Sequence, residues 1–280
     1  MRRIDTRDIT SVVAKLCVRA NTVLRKDVRK ALARSLALES APRAKKIIRA
    51  LLDNARYAQQ LELALCQDTG LAQVFVNLGR DAQICGGNFL QAVNRGIAEG
   101  YKRGGLRNSV VSHPLKRNTR PKFAPGLVHV DIVEGAHLEL ILLPKGFGCE
   151  NKSLVRMFNP TESIEAIREF IVAAVKKAGP AACPPFVIGI GIGGSLDYAA
   201  LLAKKALLQP IGRRNLDKIT AKLEKQLFKE INQLGIGPMG LGGKTTCLGV
   251  NVLTHPTHIA GLPVAVNISC HALRSAAARL

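Results

Sequence analysis

The stretch 186-FVIGIGIGGSLDYAALLAKKALL-208 shows the clearest change of pattern in this chain of 280 residues. Phe186 to Ile192 is a short apolar run typical of a buried strand, and Leu196 to Leu207 has the apolar spacing of a helix. The same two patterns recur on both sides of this stretch. Strands are predicted at Ala72 to Leu78, Val128 to Val133, His137 to Leu143, Thr246 to Leu253 and Pro263 to Ile268, and helices at 7–20, 25–38, 43–65, Phe89 to Tyr101, Ser163 to Lys177 and Asp217 to Leu234.

These elements predict an α+β fold, in which a helical N-terminal region is followed by mixed β-sheets packed with helices. The sequence has no internal repeat and no clear linker. We therefore predict a single domain over residues 1–280, with a helical subregion at about 1–65. The basic, proline-bearing segment Pro114 to Pro125 is predicted to be a loop.

Two glycine-rich motifs raise the question of nucleotide binding. Gly189-x-Gly191-x-x-Gly194 follows a strand and precedes a helix, as a dinucleotide fingerprint does. The acidic residue that should end a second strand about 20 positions later is missing, because the chain runs through Pro210 into an amphipathic helix. We favour a turn that brings the backbone close to a bound group. Gly243-Lys244-Thr245 resembles the end of a phosphate-binding loop, but Pro238 stands where that pattern requires glycine.

The chain is strongly basic, with 41 lysines and arginines, 20 acidic residues and a formal net charge of +21. Such a charge is typical of nucleic-acid binding, which we keep as an alternative function from a different class. However, the basic residues are spread through helical segments, and only 4% of the residues are aromatic and able to stack on bases. We therefore expect no specific nucleic-acid partner. An anionic substrate or an acidic partner surface explains the charge better.

The N-terminal sequence and the cysteines indicate the compartment. Met1 to Asp8 carries acidic residues where a signal peptide would have an apolar run, and no later stretch is long enough to cross a membrane. The seven cysteines lie in dissimilar settings, which suits a reducing environment. We expect a cytoplasmic protein with no membrane partner.

Three cysteines stand out because each lies in a distinctive segment: Cys66-Gln67-Asp68-Thr69-Gly70, Ala182-Cys183-Pro184-Pro185 and Ile268-Ser269-Cys270-His271. Their wide separation excludes the local Cys-x-x-Cys clips of zinc ribbons and ferredoxins, so the fold must assemble any shared metal site. Three thiolates are one short of a closed iron-sulfur cluster, and an iron without a protein thiolate can act as a Lewis acid. Buried cysteines also serve as small hydrophobic residues. We predict that role for Cys17, Cys85 and Cys247. For Cys149, in a turn-rich segment, the thiol could face a site or fill a position normally held by another small residue, and we favour the second.

Further segments accompany these cysteines in a fixed order. They are Gly100-Tyr101, Leu106-Arg107-Asn108-Ser109-Val110-Val111, Lys145-Gly146-Phe147-Gly148-Cys149-Glu150-Asn151-Lys152-Ser153, Leu234-Gly235-Ile236-Gly237-Pro238, and His258-Ile259-Ala260-Gly261-Leu262-Pro263. Together with the cysteine segments they resemble the alpha subunit, or N-terminal domain, of class I iron-sulfur fumarate hydratases. The resemblance covers most of the chain and is weak in about the first 60 residues.

The resemblance implies roles for individual residues. Cys66, Cys183 and Cys270 would bind a [4Fe-4S] cluster with one iron left open to the substrate. Asp68 would be the general acid toward departing hydroxide, and His258 would be a second catalytic residue. The implied substrate-binding residues are Gln67, Arg107, Gly146 and Gly148. Without the resemblance, Asp68-Thr69-Gly70 is an ordinary turn and Arg107 an ordinary surface residue.

The implied reaction is the reversible hydration of fumarate to L-malate, a step of the tricarboxylic acid cycle. The family's proton-abstracting residue belongs to a second domain or subunit, so we expect a separate beta subunit and a heterotetramer. The alternative within the family is an L-tartrate dehydratase alpha subunit. We favour fumarate because Glu150-Asn151-x-Ser153 keeps the ending associated with fumarate hydratases.

Three departures from the family pattern affect the expected site. The segment Asn118-Thr119-Arg120-Pro121-Lys122-Phe123-Ala124-Pro125 is basic and apolar where the family has acidic and amide side chains. Cys149 replaces a typical serine and Met239 a typical glutamine. None of the three removes a predicted cluster ligand.

Overall fold

The computed structural model describes residues 2–280 and contains ten strands and eight α-helices within that range. The strands are β1 (Arg2–Asp5), β2 (Leu71–Gly79), β3 (Ala82–Cys85), β4 (Leu127–Val133), β5 (Leu138–Lys145), β6 (Leu154–Phe158), β7 (Phe186–Gly194), β8 (Cys247–Thr257), β9 (Leu262–Ser269) and β10 (Ala276–Arg279). The helices are α1 (Thr6–Thr22), α2 (Lys26–Leu38), α3 (Pro42–Gln60), α4 (Phe89–Arg103), α5 (Phe147–Glu150), α6 (Ile164–Ala178), α7 (Leu196–Leu208) and α8 (Lys218–Gln233). The α+β prediction is confirmed, and each of its long strands and helices is present.

The chain forms two compact units that are interleaved in sequence. The first comprises the chain up to Arg25 together with Asn54–Phe147 and Arg274–Leu280, and the second comprises Lys26–Asp53 and Gly148–Leu273. The predicted helical subregion is therefore divided, with α1 in the first unit and α2 in the second. The prediction of a single domain remains a prediction.

The first unit is built on a four-stranded sheet in the order β10-β5-β2-β4. Strand β2 pairs antiparallel with β5 and parallel with β4, and β10 pairs antiparallel with β5. Helices α1 and α4 pack on this sheet, and Ile9, Val13 and Ile97 are fully buried there among side chains of β2 and β5. The C-terminal end of β5 and the loop before β2 lie side by side as a result.

The second unit is built on a four-stranded sheet in the order β6-β9-β7-β8. Strand β7 lies between parallel β8 and antiparallel β9. Apolar side chains of α6 and α8 form a core with Ile188, Ile190 and their neighbours on β8 and β9. Helix α7 packs on the opposite face through Ala199 and Ala203.

The glycine-rich strand β7 corrects one prediction. A Cβ on Gly189 would collide with the carbonyl oxygen of Ala203, and a Cβ on Gly191 with that of Ala199. These glycines therefore let α7 pack closely on the sheet, and they do not form a turn that approaches a bound group. Gly194 has φ +69 and ends the strand.

The Gly243-Lys244-Thr245 segment also has a structural role. Glu39 is 3% exposed, and its Oε2 accepts a 2.8 Å hydrogen bond from the backbone N–H of Lys244. Its Oε1 accepts from the N–H groups of Ser40 and Ala41 at 2.9 and 3.1 Å. Burial alone would raise the pKa of Glu39, but these backbone bonds outweigh burial and the pKa lies below its ordinary value. A carboxylate of the chain itself thus holds the loop.

No helix within residues 2–280 is both long and apolar enough to cross a bilayer.

Candidate active site

The loop Cys66–Gly70 of the first unit carries three of the predicted site residues and is fixed before and after them. Leu65 donates its N–H to the Asn21 carbonyl at 2.8 Å, and its own carbonyl accepts from Asn54 Nδ2 at 3.0 Å. Farther along, the Tyr101 hydroxyl lies 2.9 Å from the Thr69 carbonyl oxygen and 3.1 Å from that of Gly70. Burial raises the pKa of Tyr101, so its hydroxyl stays protonated and remains a donor.

The Asp68 carboxylate is held by a backbone N–H of its own loop and by one at the start of α5. Its Oδ1 accepts from the Gly70 N–H at 3.0 Å, and its Oδ2 accepts from the Phe147 N–H at 2.8 Å. A Cβ on Gly146 would lie 3.2 Å from Oδ2, which is a tight contact, so glycine at this position leaves room for the carboxylate. The structure therefore brings Asp68 and Gly146 together, although they are far apart in the sequence.

Gln67 and Arg107 lie beside Asp68 in the same unit. Gln67 is exposed, and its Oε1 accepts from the Cys66 thiol at 3.4 Å. Arg107 donates its backbone N–H to Thr69 Oγ1 at 3.1 Å, and its guanidinium is exposed. The predicted residues of the first unit thus lie on or against the same loop, Arg107 through its backbone.

Arg274 also contacts this loop and was not predicted. It is 3% exposed, its Nη2 donates to the backbone carbonyl of Asp68, and its Nε is buried without a hydrogen-bond partner. In the sequence, Arg274 is distinguished by its position four residues after Cys270. It belongs to no motif from which a role could have been predicted. We assign Arg274 the role of holding the loop in place.

The basic segment after Arg107 is a loop, as predicted. It is closed at its base by a bridge in which Val110 and Lys122 exchange backbone hydrogen bonds of 2.9 and 2.8 Å. Asn108 Nδ2 adds a 3.0 Å bond to the Pro121 carbonyl. The side chains from Asn118 to Lys122 are exposed.

Cys183 and Cys270 lie at the same end of the two central strands of the second unit's sheet. Cys183 precedes β7 and Cys270 follows β9, and these strands are antiparallel with Val187 opposite Ser269. His271 connects the two segments, because its backbone N–H donates to the Cys183 carbonyl at 3.4 Å and its Nδ1 lies 3.1 Å from the same oxygen. Cys183 itself adopts a left-handed conformation (φ 53, ψ 66), which is rare outside glycine.

The segment around Glu150 supports β9 just before Cys270. Asn267 Nδ2 donates to Glu150 Oε2 at 2.9 Å and to Ser153 Oγ at 3.0 Å. Lys204 forms an ion pair with the other oxygen of Glu150. The nearby Cys149 is buried, and its thiol lies 3.3 Å from the Ala182 carbonyl oxygen, next to Cys183.

His258 lies far from Cys270 within the same unit. It is exposed in the tight turn between β8 and β9, where its Nδ1 accepts from the Ala260 N–H at 3.2 Å. Strand β9 separates the two residues, and its eight residues span about 25 Å. The structure therefore does not bring His258 to the end of the sheet that carries Cys183 and Cys270. Gly148 is exposed at the start of the second unit.

The seven cysteines differ in how well they suit iron. Burial raises the pKa of Cys17 and of Cys247 to about 12, so both are protonated at neutral pH and are poor ligands. The three predicted ligands, Cys66, Cys183 and Cys270, are partly exposed, and no disulfide joins any cysteine. Thiolate is the donor that an iron-sulfur cluster requires. Exposure and donor chemistry therefore fit the predicted ligand set, although Cys85 is partly exposed as well.

Among residues 2–280, no three His, Cys, Asp or Glu side chains are grouped so as to hold a metal ion. Cys66 belongs to the first unit and the other two predicted ligands to the second.

Comparison with known proteins assigns the family. Residues 10–279 match the family model described as fumarate hydratase (Fumerase). The chain belongs to the fumarate hydratase family. Because this is a hydro-lyase family, the prediction of a hydro-lyase is supported, and the family predicted from the sequence segments is confirmed.

The fumarate hydratase relatives include proteins that are named for another substrate. "Putative L(+)-tartrate dehydratase subunit alpha" of Methanocaldococcus jannaschii is 39% identical over 280 residues, covering 97% of each chain. L(+)-tartrate dehydratase subunit alpha of Escherichia coli is 31% identical over 275 residues, covering 97% of this chain and 90% of the relative. The Shigella sonnei protein of the same name is 31% identical over 269 residues, covering 95% and 88%.

Proposed function

We propose that this chain is the alpha subunit of a [4Fe-4S] hydro-lyase that interconverts L-malate and fumarate. The observation that carries the proposal is Asp68, whose carboxylate is fixed by two backbone N–H groups directly after Cys66 and Gln67. A cluster held by Cys66, Cys183 and Cys270 would supply a Lewis acid that polarises the bond to the leaving hydroxyl group.

Asp68 acts as the proton donor to the departing hydroxyl oxygen. A carboxylate has about four acceptor positions, and the bonds from Gly70 and Phe147 occupy one on each oxygen. One position on each oxygen is left for a proton and for the substrate. The backbone bonds hold the carboxyl group in a single orientation while this proton moves.

Gln67 and Arg107 bind the carboxylate groups of the substrate. The forked guanidinium of Arg107 suits a planar carboxylate, and its exposed position leaves it accessible. The absence of a side chain at Gly146 lets the substrate approach Asp68. A base on the beta subunit removes the carbon-bound proton, and the electron pair of that bond forms the double bond as water leaves.

His258 remains part of the proposal as a second catalytic residue, on the strength of the family resemblance. Within its own sheet, His258 lies about the length of β9 from Cys270, so this role rests on the resemblance alone and not on the geometry of that sheet. Loss of activity in a His258→Gln variant, with iron content retained, would support a catalytic role, and full activity would remove His258 from the site.

There are two candidate substrates, fumarate and L-tartrate, and a different observation favours each. Fumarate is favoured by the Glu150-Asn151-x-Ser153 ending, in which Glu150 and Ser153 support β9 through Asn267. L-tartrate is favoured by the names of the relatives. The deciding experiment compares kcat/KM for L-malate and L-tartrate on the assembled enzyme. A large preference for L-tartrate would overturn the proposed substrate and leave the hydro-lyase chemistry intact.

The relatives are named as alpha subunits, which supports a requirement for a beta subunit. A separate experiment tests this requirement. The chain is reconstituted anaerobically with iron and sulfide, and malate dehydration is measured with and without the beta subunit. We expect the isolated chain to be a poor catalyst. Full activity of the isolated chain would refute the requirement.

A further inference from the structure

The second unit contains a large groove bordered by α2, α8 and the segment that joins α7 to α8, and none of the predicted site residues lines it. Its volume is about 1240 Å³, and every residue that lines it belongs to the second unit. This volume exceeds the roughly 300–1,000 Å³ of typical small-molecule pockets. The groove is therefore large enough for a polypeptide segment.

The rim of the groove is basic. Three arginines line it, Arg34, Arg213 and Arg214, together with four lysines on α8 and the loop before β8. Among the described lining residues, Glu224 is the single acidic one. Its Oε1 accepts hydrogen bonds from the Val252 N–H at 2.8 Å and from Asn215 Nδ2 at 3.3 Å. The charges that face solvent are thus positive, which favours an acidic occupant.

The interior of the groove is apolar and reaches the edge strand β8, whose residues 248–251 are buried. Leu38 and Phe228 contribute apolar surface and are 67% and 42% exposed. Leu248 to Asn251 of β8 also line the groove, and β8 is an edge strand of its sheet. An amphipathic segment would cover both features.

At both ends of this stretch of β8, side chains make the backbone hydrogen bonds that a neighbouring strand would otherwise make. Asn232 Oδ1 accepts from the Thr246 and Cys247 N–H groups at 2.8 and 3.0 Å. The Val252 N–H and carbonyl are bonded to Glu224 and Asn215. Because backbone groups alternate in direction along a strand, Val250 presents its N–H and carbonyl toward the same edge, between these two caps. An extended chain could pair with this short stretch.

We propose that the groove binds an extended, acidic and amphipathic segment of the beta subunit, which adds a strand to β8 and places its carboxylates on the surrounding lysines and arginines. The proposal rests on the proposed function, because that function supplies the beta subunit.

The test uses the full chain and its beta subunit, with two double variants of equal charge change. The groove variant combines Lys222→Glu and Lys225→Glu, which are exposed residues on the groove face of α8. The control combines Lys176→Glu and Lys229→Glu, which are exposed helical residues of the same unit outside the groove lining. Circular dichroism of each isolated chain establishes that the variants fold.

Association is measured by calorimetry at low and high salt, and hydrogen exchange is followed at residues 248–251. We expect the groove variant to bind the beta subunit at least tenfold more weakly at low salt, and the control to stay within twofold. The Val250 amide, which faces the outer edge of β8, should exchange more slowly in the wild-type complex than in the free chain. Equal affinity of the two variants, or unchanged exchange at Val250, would overturn the proposal.

Other occupants give different results. Binding of ADP or of single-stranded RNA to the wild-type chain, lost in the groove variant while subunit affinity is unchanged, would also overturn it. Malate dehydration by the wild-type complex is recorded separately. Groove-dependent assembly of an inactive complex would uphold the docking surface and refute the proposed function.

Discussion

Replacement of Asp68 by asparagine separates the structural and the chemical roles of this side chain. The carboxylate accepts one backbone N–H on each oxygen, from Gly70 at 3.0 Å and from Phe147 at 2.8 Å. Asparagine has one carbonyl oxygen and one NH₂ group, so in either orientation one of the two N–H groups loses its acceptor. A hydrogen bond to a charged group contributes about 1.5–3 kcal/mol, and we expect the free energy of unfolding to fall by that amount.

The loop should nevertheless keep its position, because Arg274 donates to the backbone carbonyl of Asp68 and that bond is unaffected. Iron content should therefore be unchanged. Loss of a general acid lowers turnover by about 10²- to 10⁴-fold, and we expect kcat for malate dehydration by the assembled enzyme to fall within this range. Asp81→Asn, at an exposed residue of the same unit, is the control. An Asp68→Asn enzyme with wild-type kcat would refute the assigned role.

Three further changes test other parts of the structure. Glu39→Gln should lower the free energy of unfolding by about 1.5–3 kcal/mol at pH 7, since it removes a buried charged acceptor of backbone N–H groups. Because the folded pKa of Glu39 is below 4.5, the difference from wild type should be complete above pH 4.5 and shrink as the pH falls through the folded pKa; a pH-independent difference in urea unfolding would contradict this. Gly191→Ala would push a methyl group into the carbonyl of Ala199 and should destabilise by about 1–3 kcal/mol or more, whereas Gly148→Ala meets no atom within 4 Å and should leave the thermal midpoint almost unchanged. Cys149→Ser should keep iron content and activity, because a hydroxyl can donate the hydrogen bond that the buried thiol makes, and loss of the cluster in this variant would show that Cys149 is a ligand.

The sequence predicted the long elements because their patterns repeat over many residues. It missed the short strands β1, β3, β6 and β10, which are only four or five residues long. Strand β10, with the sequence AAAR, has no strand-like composition and is extended because it pairs with residues 139–142 of β5. Such pairing depends on residues far away in the chain, which no local pattern contains.

In the candidate site, too, residues of one local segment were predicted, whereas residues that contact it from distant parts of the chain were not. Cys66, Gln67 and Asp68 were predicted because they form one ordered segment that resembles a family. Arg274 and the hydroxyl of Tyr101 hold that segment from elsewhere in the first unit, and their contacts appear only once the chain is folded. The glycines of β7 were misinterpreted because a sequence shows where a side chain is missing, and the fold shows which neighbour fills the space.

The central claim is that Cys66, Cys183 and Cys270 hold a [4Fe-4S] cluster on which hydro-lyase activity depends. The most direct measurement is iron and acid-labile sulfide in anaerobically reconstituted chain, for wild type and for serine variants of each cysteine, with Cys85→Ser as the control at a partly exposed residue. A serine hydroxyl is a much poorer iron ligand than a thiolate. We expect wild type and the control to contain iron and sulfide in the proportion of such a cluster, and each of the three ligand variants to lose it. A cluster that survives Cys183→Ser, or a wild-type chain that retains no iron, would contradict the claim.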